Sequence, residues 1–280
     1  MDNLRKVNKV ITGRNAIDGA GVKLVRVFDS YEVKDFDPFL MLDAFDSTNP
    51  NDYIKGFPWH PHRGIETITY LIKGNIEHSD SLGNVGNILD GDCQWMTAGS
   101  GIIHQEMPKT SERMLGAQIW LNLPAKNKMV KPKYGDIKNE NIPVIFEDSN
   151  IIHLLAGTYK GKKGAFEGDY IKATYLDVEV SAGKEWFFEN DKDFTLFIYI
   201  IQGEGIFEPN SEKTISEKHA VLFSKGEKFW VKASEQGIRF LLLSAKPLNE
   251  PIAWGGPIVM NTKEELKLAF EELEDGNFIK

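Results

Sequence analysis

The chain has 280 residues, enough for one large domain or two ordinary ones, so it needs no disulfides to hold a core. It carries 33 Lys and Arg against 41 Asp and Glu, a formal net charge of −8. Because no stretch collects the basic residues, this balance argues against nucleic-acid binding through phosphates. The hydrophobic share of 41% and the charged share of 26% are typical of a soluble globular protein and exclude disorder, collagen and coiled coil.

The N-terminus has no apolar segment of signal-peptide length, and the longest apolar runs, such as residues 240–243, are too short to span a bilayer. We therefore expect a cytoplasmic protein with no membrane partner. The one cysteine, Cys93, cannot form an intramolecular disulfide, which agrees with a reducing compartment. We expect it to be a small buried thiol.

Most of the sequence alternates with a period of two, in short runs of Ile, Val, Tyr, Phe and Thr separated by turn residues. Many short strands of this kind predict an all-β fold of barrels or sandwiches. The clearest predicted strands are residues 67–72, 93–96, 116–121, 174–178, 194–201 and 238–243.

One helix is predicted near the end of the chain. Asn261 and Glu264 have the spacing of a capping box, and Gly276 lies beyond the last apolar position. Between them runs an apolar stripe with helical spacing, which we expect to pack on a barrel. It consists of Leu266, Ala269, Phe270 and Leu273.

The sequence contains a weak internal repeat. Residues 70–75 (YLIKGN) resemble residues 199–204 (YIIQGE), residues 97–99 parallel 224–226, and the strand ending at Pro124 parallels the one ending at Pro247. We interpret the repeat as two copies of one β unit, with chance matching as the alternative. A segment rich in Lys, Asn and Pro separates the copies. We therefore expect an N-terminal domain over residues 1–130, a linker over 131–150, and a C-terminal domain over 151–280 that includes the helix.

Two histidines lie close together in the segment FPWHPHRGIE, residues 57–66. In an extended chain, residues two apart point to the same face, so His60 and His62 present two imidazoles side by side. Pro61 cannot donate a ladder hydrogen bond, which places this strand at an edge, a bulge or a barrel mouth. The pair alone is equally compatible with two solvated surface histidines.

A second pair with the same spacing, His104 and Glu106, follows the Gly-rich turn at residues 98–101. Together the two pairs offer three imidazoles and one carboxylate, a set that suits Fe(II), Mn, Co, Ni, Cu or Zn. Four protein ligands leave coordination positions for water, substrate or oxygen. The pairs therefore predict a metal centre, and a purely structural metal is disfavoured because an incomplete shell is a poor clamp.

Three segments resemble the pirin family of two-domain cupins: FPWHPHRGIET at residues 57–67, GDCQWMTAGSGIIHQEMP at 91–108 and PIAWGGPIVMNTKEEL at 251–266. The resemblance covers nearly the whole chain. It implies a bicupin, in which two jelly-roll β-barrels are stacked face to face and followed by a C-terminal helix. It also implies a monomer with one mononuclear metal, usually iron, in the N-terminal barrel.

The ligands implied by the resemblance correspond to His60, His62, His104 and Glu106. The general cupin pattern would instead make Glu66 the carboxylate ligand, whereas the pirin pattern uses the glutamate two residues after the last histidine. We therefore expect Glu106 to bind the metal and Glu66 to support the ligands or the fold without binding it. In the second copy of the repeat, the positions of His60 and His62 are occupied by Glu189 and Asp191. We therefore expect no metal site in the C-terminal barrel.

Trp59 and Arg63 flank the ligands, and for both we weigh lining a pocket mouth against packing or ion pairing. The other histidines, His78, His153 and His219, stand alone in the sequence. We expect them to be surface histidines or core histidines with satisfied hydrogen bonds.

The resemblance implies a metal-dependent dioxygenase of the quercetin 2,3-dioxygenase type, which cleaves the ring of a flavonol-like small molecule with O2. Glu106 would then act as a catalytic base as well as a ligand. The alternative is a non-enzymatic, iron-dependent regulator that binds a protein partner. The net charge of −8 favours a protein partner over direct nucleic-acid contact.

Overall fold

The computed structural model describes residues 3–280 and is built mainly of strands, which confirms the all-β prediction. The strands are β1 (Val7–Thr12), β2 (Arg14–Asp18), β3 (Val22–Phe28), β4 (Phe39–Ser47), β5 (Phe57–His62), β6 (Ile65–Lys73), β7 (Ile76–Asp80), β8 (Val85–Ile88), β9 (Cys93–Thr97), β10 (Ile102–Pro108), β11 (Met114–Asn122), β12 (Lys133–Ile137), β13 (Val144–Glu147), β14 (Asn150–Ala156), β15 (Thr158–Tyr159), β16 (Lys162–Lys163), β17 (Thr174–Val180), β18 (Glu185–Glu189), β19 (Thr195–Ile206), β20 (Ile215–Ser216), β21 (His219–Phe223), β22 (Lys228–Ala245), β23 (Ala253–Gly255) and β24 (Ile258–Met260). The helices are α1 (Val33–Phe36) and α2 (Lys263–Glu274).

The chain forms two compact units. The N-terminal unit contains residues 14–34, 38–139 and 248–280, and the C-terminal unit contains residues 3–13, 35–37 and 140–247. These bounds differ from the expected domains at 1–130 and 151–280. Strand β1 pairs with β21 in the C-terminal unit, whereas α2 belongs to the N-terminal unit. The expected linker at 131–150 holds β12, which pairs with β9. Local composition does not indicate these exchanges, because tertiary contacts decide where a strand pairs and where a helix packs.

The N-terminal unit has two main antiparallel sheets. One has the strand order β12-β9-β6-β11-β4-β3-β2, and the other has the order β5-β10-β7-β8. Leu71 of the first sheet belongs to the same apolar cluster as Ile76 and Ile88 of the second, so the core lies between the two sheets. Cys93 of β9 is buried, as expected, and burial raises the pKa of its thiol.

The C-terminal unit is built on a sheet with the order β1-β21-β19-β22-β17-β14-β13. Three neighbouring strands of this sheet, β21-β19-β22, are arranged like β9-β6-β11 of the N-terminal unit. In both triplets the strand that comes first along the chain lies in the middle, with the second on one side and the third on the other. The strands of the two triplets contain or directly precede the three segments of the weak repeat. This correspondence supports the interpretation that the repeat reflects two copies of one β unit.

Helix α2 begins with a capping box one residue later than the sequence analysis predicts. The hydroxyl of Thr262 accepts a hydrogen bond from the Glu265 amide at 3.1 Å, and the Glu265 carboxylate accepts one from the Thr262 amide at 2.9 Å. The pair Asn261 and Glu264 has the same spacing, so the pattern alone could not choose between them. Neither helix in the described part of the chain has the length and apolar character needed to cross a membrane.

Candidate metal centre

Three histidines converge where β5 and β10 pair. His60 lies opposite His104 in this antiparallel register, and His62 lies two residues farther along β5. The ring centroids are 4.9 Å apart for His60 and His62, 4.3 Å for His60 and His104, and 5.0 Å for His62 and His104. One ligand nitrogen from each ring lies within 4.8 Å of the others. Strand β5 is the edge of its sheet, as Pro61 predicts.

Burial keeps the inner imidazoles neutral. His62 and His104 are buried, whereas His60 is half-buried. Burial, together with the neighbouring His60, lowers the pKa of His62 to about 3, and burial holds the pKa of His104 well below its ordinary value. Because a metal binds the neutral form of imidazole, these two side chains are ready to bind without losing a proton.

Hydrogen bonds fix which ring nitrogens are available. Nδ1 of His60 donates to the carbonyl of Pro58 at 2.8 Å, and Nδ1 of His62 donates to the carbonyl of Pro257 at 3.1 Å. A carbonyl oxygen only accepts, so Nε2 of each ring carries the free lone pair. Both ring nitrogens of His104 are buried and without a hydrogen-bond partner among residues 3–280. Burying such groups unpaired is costly, and a metal ligated by His104 would offset that cost. The three side chains therefore fit a metal ion.

Glu106 also lies on β10 and is buried, but it is held differently. Its carboxylate accepts a hydrogen bond from the Thr69 hydroxyl at 3.1 Å and bonds from the Gln118 amide at 3.0 and 2.8 Å. A register shift in the pairing with β5 separates Glu106 from His104. Glu106 is not in the group of ligand atoms that lie within 4.8 Å of one another. Its role as a metal ligand therefore stays a prediction.

His78 is not isolated, contrary to the sequence analysis. It is fully buried on β7, and its ring centroid lies 5.3 Å from that of His104. Its Nε2 lies 3.3 Å from an oxygen of Asp80, and its ring lies 4.6 Å from that of Tyr134. The sequence does contain a signal for this position, because His78 and Asp80 are two residues apart, like the members of the two proposed ligand pairs. Its relevance depends on the pairing of β7 with β10, which spacing does not reveal.

The carboxylate of Glu66 lies outside the histidine group and accepts a hydrogen bond from the Thr97 hydroxyl at 2.7 Å. Arg63 is buried, which favours ion pairing over the pocket-mouth alternative. Its guanidinium lies 2.6 Å from Glu272 on α2, donates to the carbonyl of Phe278 at 2.8 Å and stacks on that ring. Trp59 is 54% exposed and lines the cavity beside the histidines.

The turn after His62 is held by the C-terminal segment, residues 248–280. Gly64 has a φ of +77°, and a Cβ there would lie 2.0 Å from the carbonyl oxygen of Val259, so only glycine fits. The buried ammonium of Lys128 donates to the carbonyls of Gly64 at 2.7 Å and Val259 at 2.8 Å, and also to Asn122. Burial lowers the pKa of Lys128 to about 7.

A cavity of about 600 Å³ opens beside His60 and His62. The ring of Trp120 lies 4.9 Å from that of His62, and Trp254 lies 5.9 Å from Trp120. The walls thus combine flat aromatic rings with many polar and charged groups, a lining suited to a flat molecule that carries several hydroxyls. The other polar residues of the lining are Asp18, Arg26, Asp29, Ser30, Asp43, Glu106 and Gln118.

Comparisons with known proteins agree with this architecture. Two family profiles match, one described as Pirin over residues 21–121 and one described as Pirin C-terminal cupin domain over residues 175–279. A pirin-like protein of Caulobacter vibrioides is 40% identical over 282 residues, covering 98% of this chain and 99% of that protein. A pirin-like protein of Solanum lycopersicum is 38% identical over 274 residues, covering 97% and 92%. The crystal structure of a quercetin 2,3-dioxygenase from Acinetobacter baumannii has a TM-score of 0.89 at 30% identity and covers 98% of each chain.

Proposed function

Because this chain belongs to the pirin family of two-domain cupins, we propose that it is a metal-dependent oxygenase of the quercetin 2,3-dioxygenase type. The metal is a single divalent ion, Fe(II) in the first place, and the substrate is a flavonol-like molecule. The observation that carries the proposal is the trio of imidazoles with available nitrogens beside an aromatic cavity. The name of the Acinetobacter relative supports the substrate class.

The proposed ligands are His60, His62, His104 and Glu106. The first two offer Nε2, since each Nδ1 is engaged by a carbonyl. A carboxylate has about four acceptor positions. The Thr69 hydroxyl uses one of them, and the Gln118 amide shares one N–H between the two oxygens, because its other N–H donates to Thr69 at 3.0 Å. Acceptor positions on Glu106 are therefore left for the metal and for a substrate proton, and the same hydrogen bonds hold the carboxylate in place.

When bound, the metal supplies a Lewis acid that lowers the pKa of a substrate hydroxyl and orients its oxygen. Glu106 is the proposed acceptor for the hydroxyl proton, because it is a buried carboxylate that lines the same cavity as His60 and His62. Trp120 and Trp254 provide flat walls that orient an aromatic ring and exclude water from it.

The test measures metal content and O2 uptake on the same sample, purified without a polyhistidine tag and reconstituted with Fe(II). We expect one iron per chain and O2 uptake that requires quercetin. A variant combining His62→Ala with Glu106→Ala should hold no iron and consume no O2. Stoichiometric iron with no O2 uptake would overturn the oxygenase proposal and direct attention to iron-dependent binding of a protein partner.

A further inference from the structure

A row of polar side chains crosses the first sheet of the N-terminal unit and leads away from the histidines. Thr69 on β6 pairs with Gln118 on β11, Gln118 pairs with Asp43 on β4, and Asp43 pairs with Arg26 on β3. Adjacent strands lie about 4.8 Å apart, so the backbones of Gln118 and Arg26 are about 10 Å apart. Since Gln118 holds Glu106, the row connects the proposed metal end of the cavity with a second polar end at Arg26.

Arg26 is rigidly held and only partly used. Its Nε donates to Asp43 at 2.9 Å, and its Nη2 donates to Asp43 at 2.7 Å and to Asp18 at 2.6 Å. Its Nη1 has no hydrogen-bond partner among residues 3–280. The side chain of Arg26 is 20% exposed and lines the cavity. A fixed guanidinium with an unused donor is therefore available to a ligand.

The charges around Arg26 select what kind of ligand end can bind. Near Arg26 the cavity lining carries three carboxylates, those of Asp18, Asp29 and Asp43. Two guanidinium groups offset them, that of Arg26 and that of Arg14, which pairs with Asp29. An anionic ligand end would meet this excess of negative charge at close range. A phenolic hydroxyl instead accepts a hydrogen bond from Arg26 and donates one to Asp18, whose side chain is 48% exposed.

We propose that Arg26 and Asp18 form a subsite for a neutral phenolic hydroxyl, about 10 Å from the metal end of the cavity. The cavity then selects flat polyphenols with hydroxyls at both ends and rejects molecules whose far end is anionic. This inference rests on the proposed function and adds to it the feature that distinguishes one flavonol from another.

The test measures the dissociation constants of three matched flavonols on Zn(II)-loaded protein kept free of O2, so that no turnover occurs. Quercetin has hydroxyls on its outer ring, galangin lacks them, and quercetin 5′-sulfonate carries an anionic group on that ring. At a partly exposed site, where water competes for the same groups, two hydrogen bonds together are worth about a tenfold difference in affinity. We expect quercetin to bind about tenfold more tightly than galangin, and the sulfonate to bind more weakly than galangin.

Two variants separate the subsite from the metal site. Asp18→Asn removes a negative charge and replaces one of the two carboxylate acceptor oxygens with an amide donor, so the preference for quercetin should fall to about twofold and the sulfonate should gain affinity. The double variant Arg26→Gln, Asp43→Asn replaces the ion pair with two neutral amides and leaves no buried charge unpaired. It should abolish the preference. Glu271→Gln, which removes an exposed carboxylate of α2 in the same unit, is the matched control and should change none of the three constants.

The outcomes are distinguishable. If quercetin keeps the same preference in native protein, in Asp18→Asn and in the double variant, the subsite is wrong while flavonol binding at the metal site stands. Binding of the sulfonate as tight as that of quercetin would also overturn the subsite. If native metal-loaded protein binds none of the three compounds, the proposed function fails and the subsite fails with it. Should the double variant not fold, Asp18→Asn alone decides.

Discussion

The two units share a strand order but differ in what fills their interiors. In the C-terminal unit the space beside β21-β19-β22 is filled by packed aromatic rings, with Trp186, Phe229 and Phe240 in mutual contact. In the N-terminal unit the corresponding sheet carries Thr69 and Gln118, which hold Glu106 beside the histidines. One strand framework thus accommodates an apolar core or a polar centre. The difference lies in a few inward-facing residues, so the fold alone does not determine the function.

The largest effect is expected from breaking the apolar interior. Phe229→Ala in β22 removes a fully buried ring that contacts Trp186, Phe223 and Phe240. It should lower the free energy of unfolding by about 3–5 kcal/mol, measured by urea denaturation. Metal content of the folded protein should stay unchanged, because the proposed ligands lie in the other unit.

The control for this change is Phe187→Ala on β18, which removes the same side chain at a position that is 42% exposed. It should cost less than about 1 kcal/mol. Equal losses in the two variants would contradict the view that the buried rings stabilise the C-terminal unit.

The next change makes the polar interior resemble the apolar one. His104→Leu removes a proposed ligand together with two buried nitrogens that have no partner among the described residues. Metal affinity should fall by more than the roughly 100-fold that loss of a supporting group produces. The metal-free variant should be as stable as the metal-free native protein or more stable, because no polar atom is left unpaired. Competition with a chelator measures the affinity, and urea denaturation measures the stability.

His153→Leu, at a half-buried histidine of β14 in the C-terminal unit, is the matched control for His104→Leu. It should leave metal affinity unchanged. Native-like metal affinity in His104→Leu would remove His104 from the ligand set.

A smaller effect is expected where the C-terminal segment holds the turn after His62. Lys128→Met keeps the length of the side chain but leaves the acceptors on Gly64, Val259 and Asn122 without their donor. The free energy of unfolding should fall by about 1–3 kcal/mol. Unchanged stability would show that these acceptors find other partners.

The smallest effect is a pH dependence from the same residue. The pKa of Lys128 is lowered to about 7 in the folded protein, whereas an exposed lysine has a pKa of about 10.5. Between these values the unfolded chain binds more protons, so stability should rise with pH from 7 to 9, by at most about 1.4 kcal/mol per pH unit. Urea denaturation of native protein and Lys128→Met at pH 7, 8 and 9 isolates this contribution. A difference between them that does not change with pH would contradict the lowered pKa.

The sequence analysis predicted the features that depend only on residues close together in the chain. Alternation placed the strands, and two-residue spacing on two strands brought together His60, His62 and His104. The proximity of His78 to this group and the row that ends at Arg26 could not be predicted, because both depend on which strands pair. The same limit explains the exchanged chain ends, since the partner of β1 lies about 200 residues away in sequence. The role of Glu106 as a ligand stays a prediction.

The carbonyl of Pro257 that orients His62 lies far downstream of the proposed ligands, which all occur by residue 106. During synthesis the nascent chain therefore presents all the ligands long before it contains the group that fixes the ring of His62. The partners of the neighbouring Arg63, which are Glu272 and Phe278, are also synthesised much later than Arg63 itself. A polypeptide that stops before residue 257 would carry every proposed ligand but lack the acceptor that orients His62, so the proposed centre is completed only after residue 257 has been synthesised.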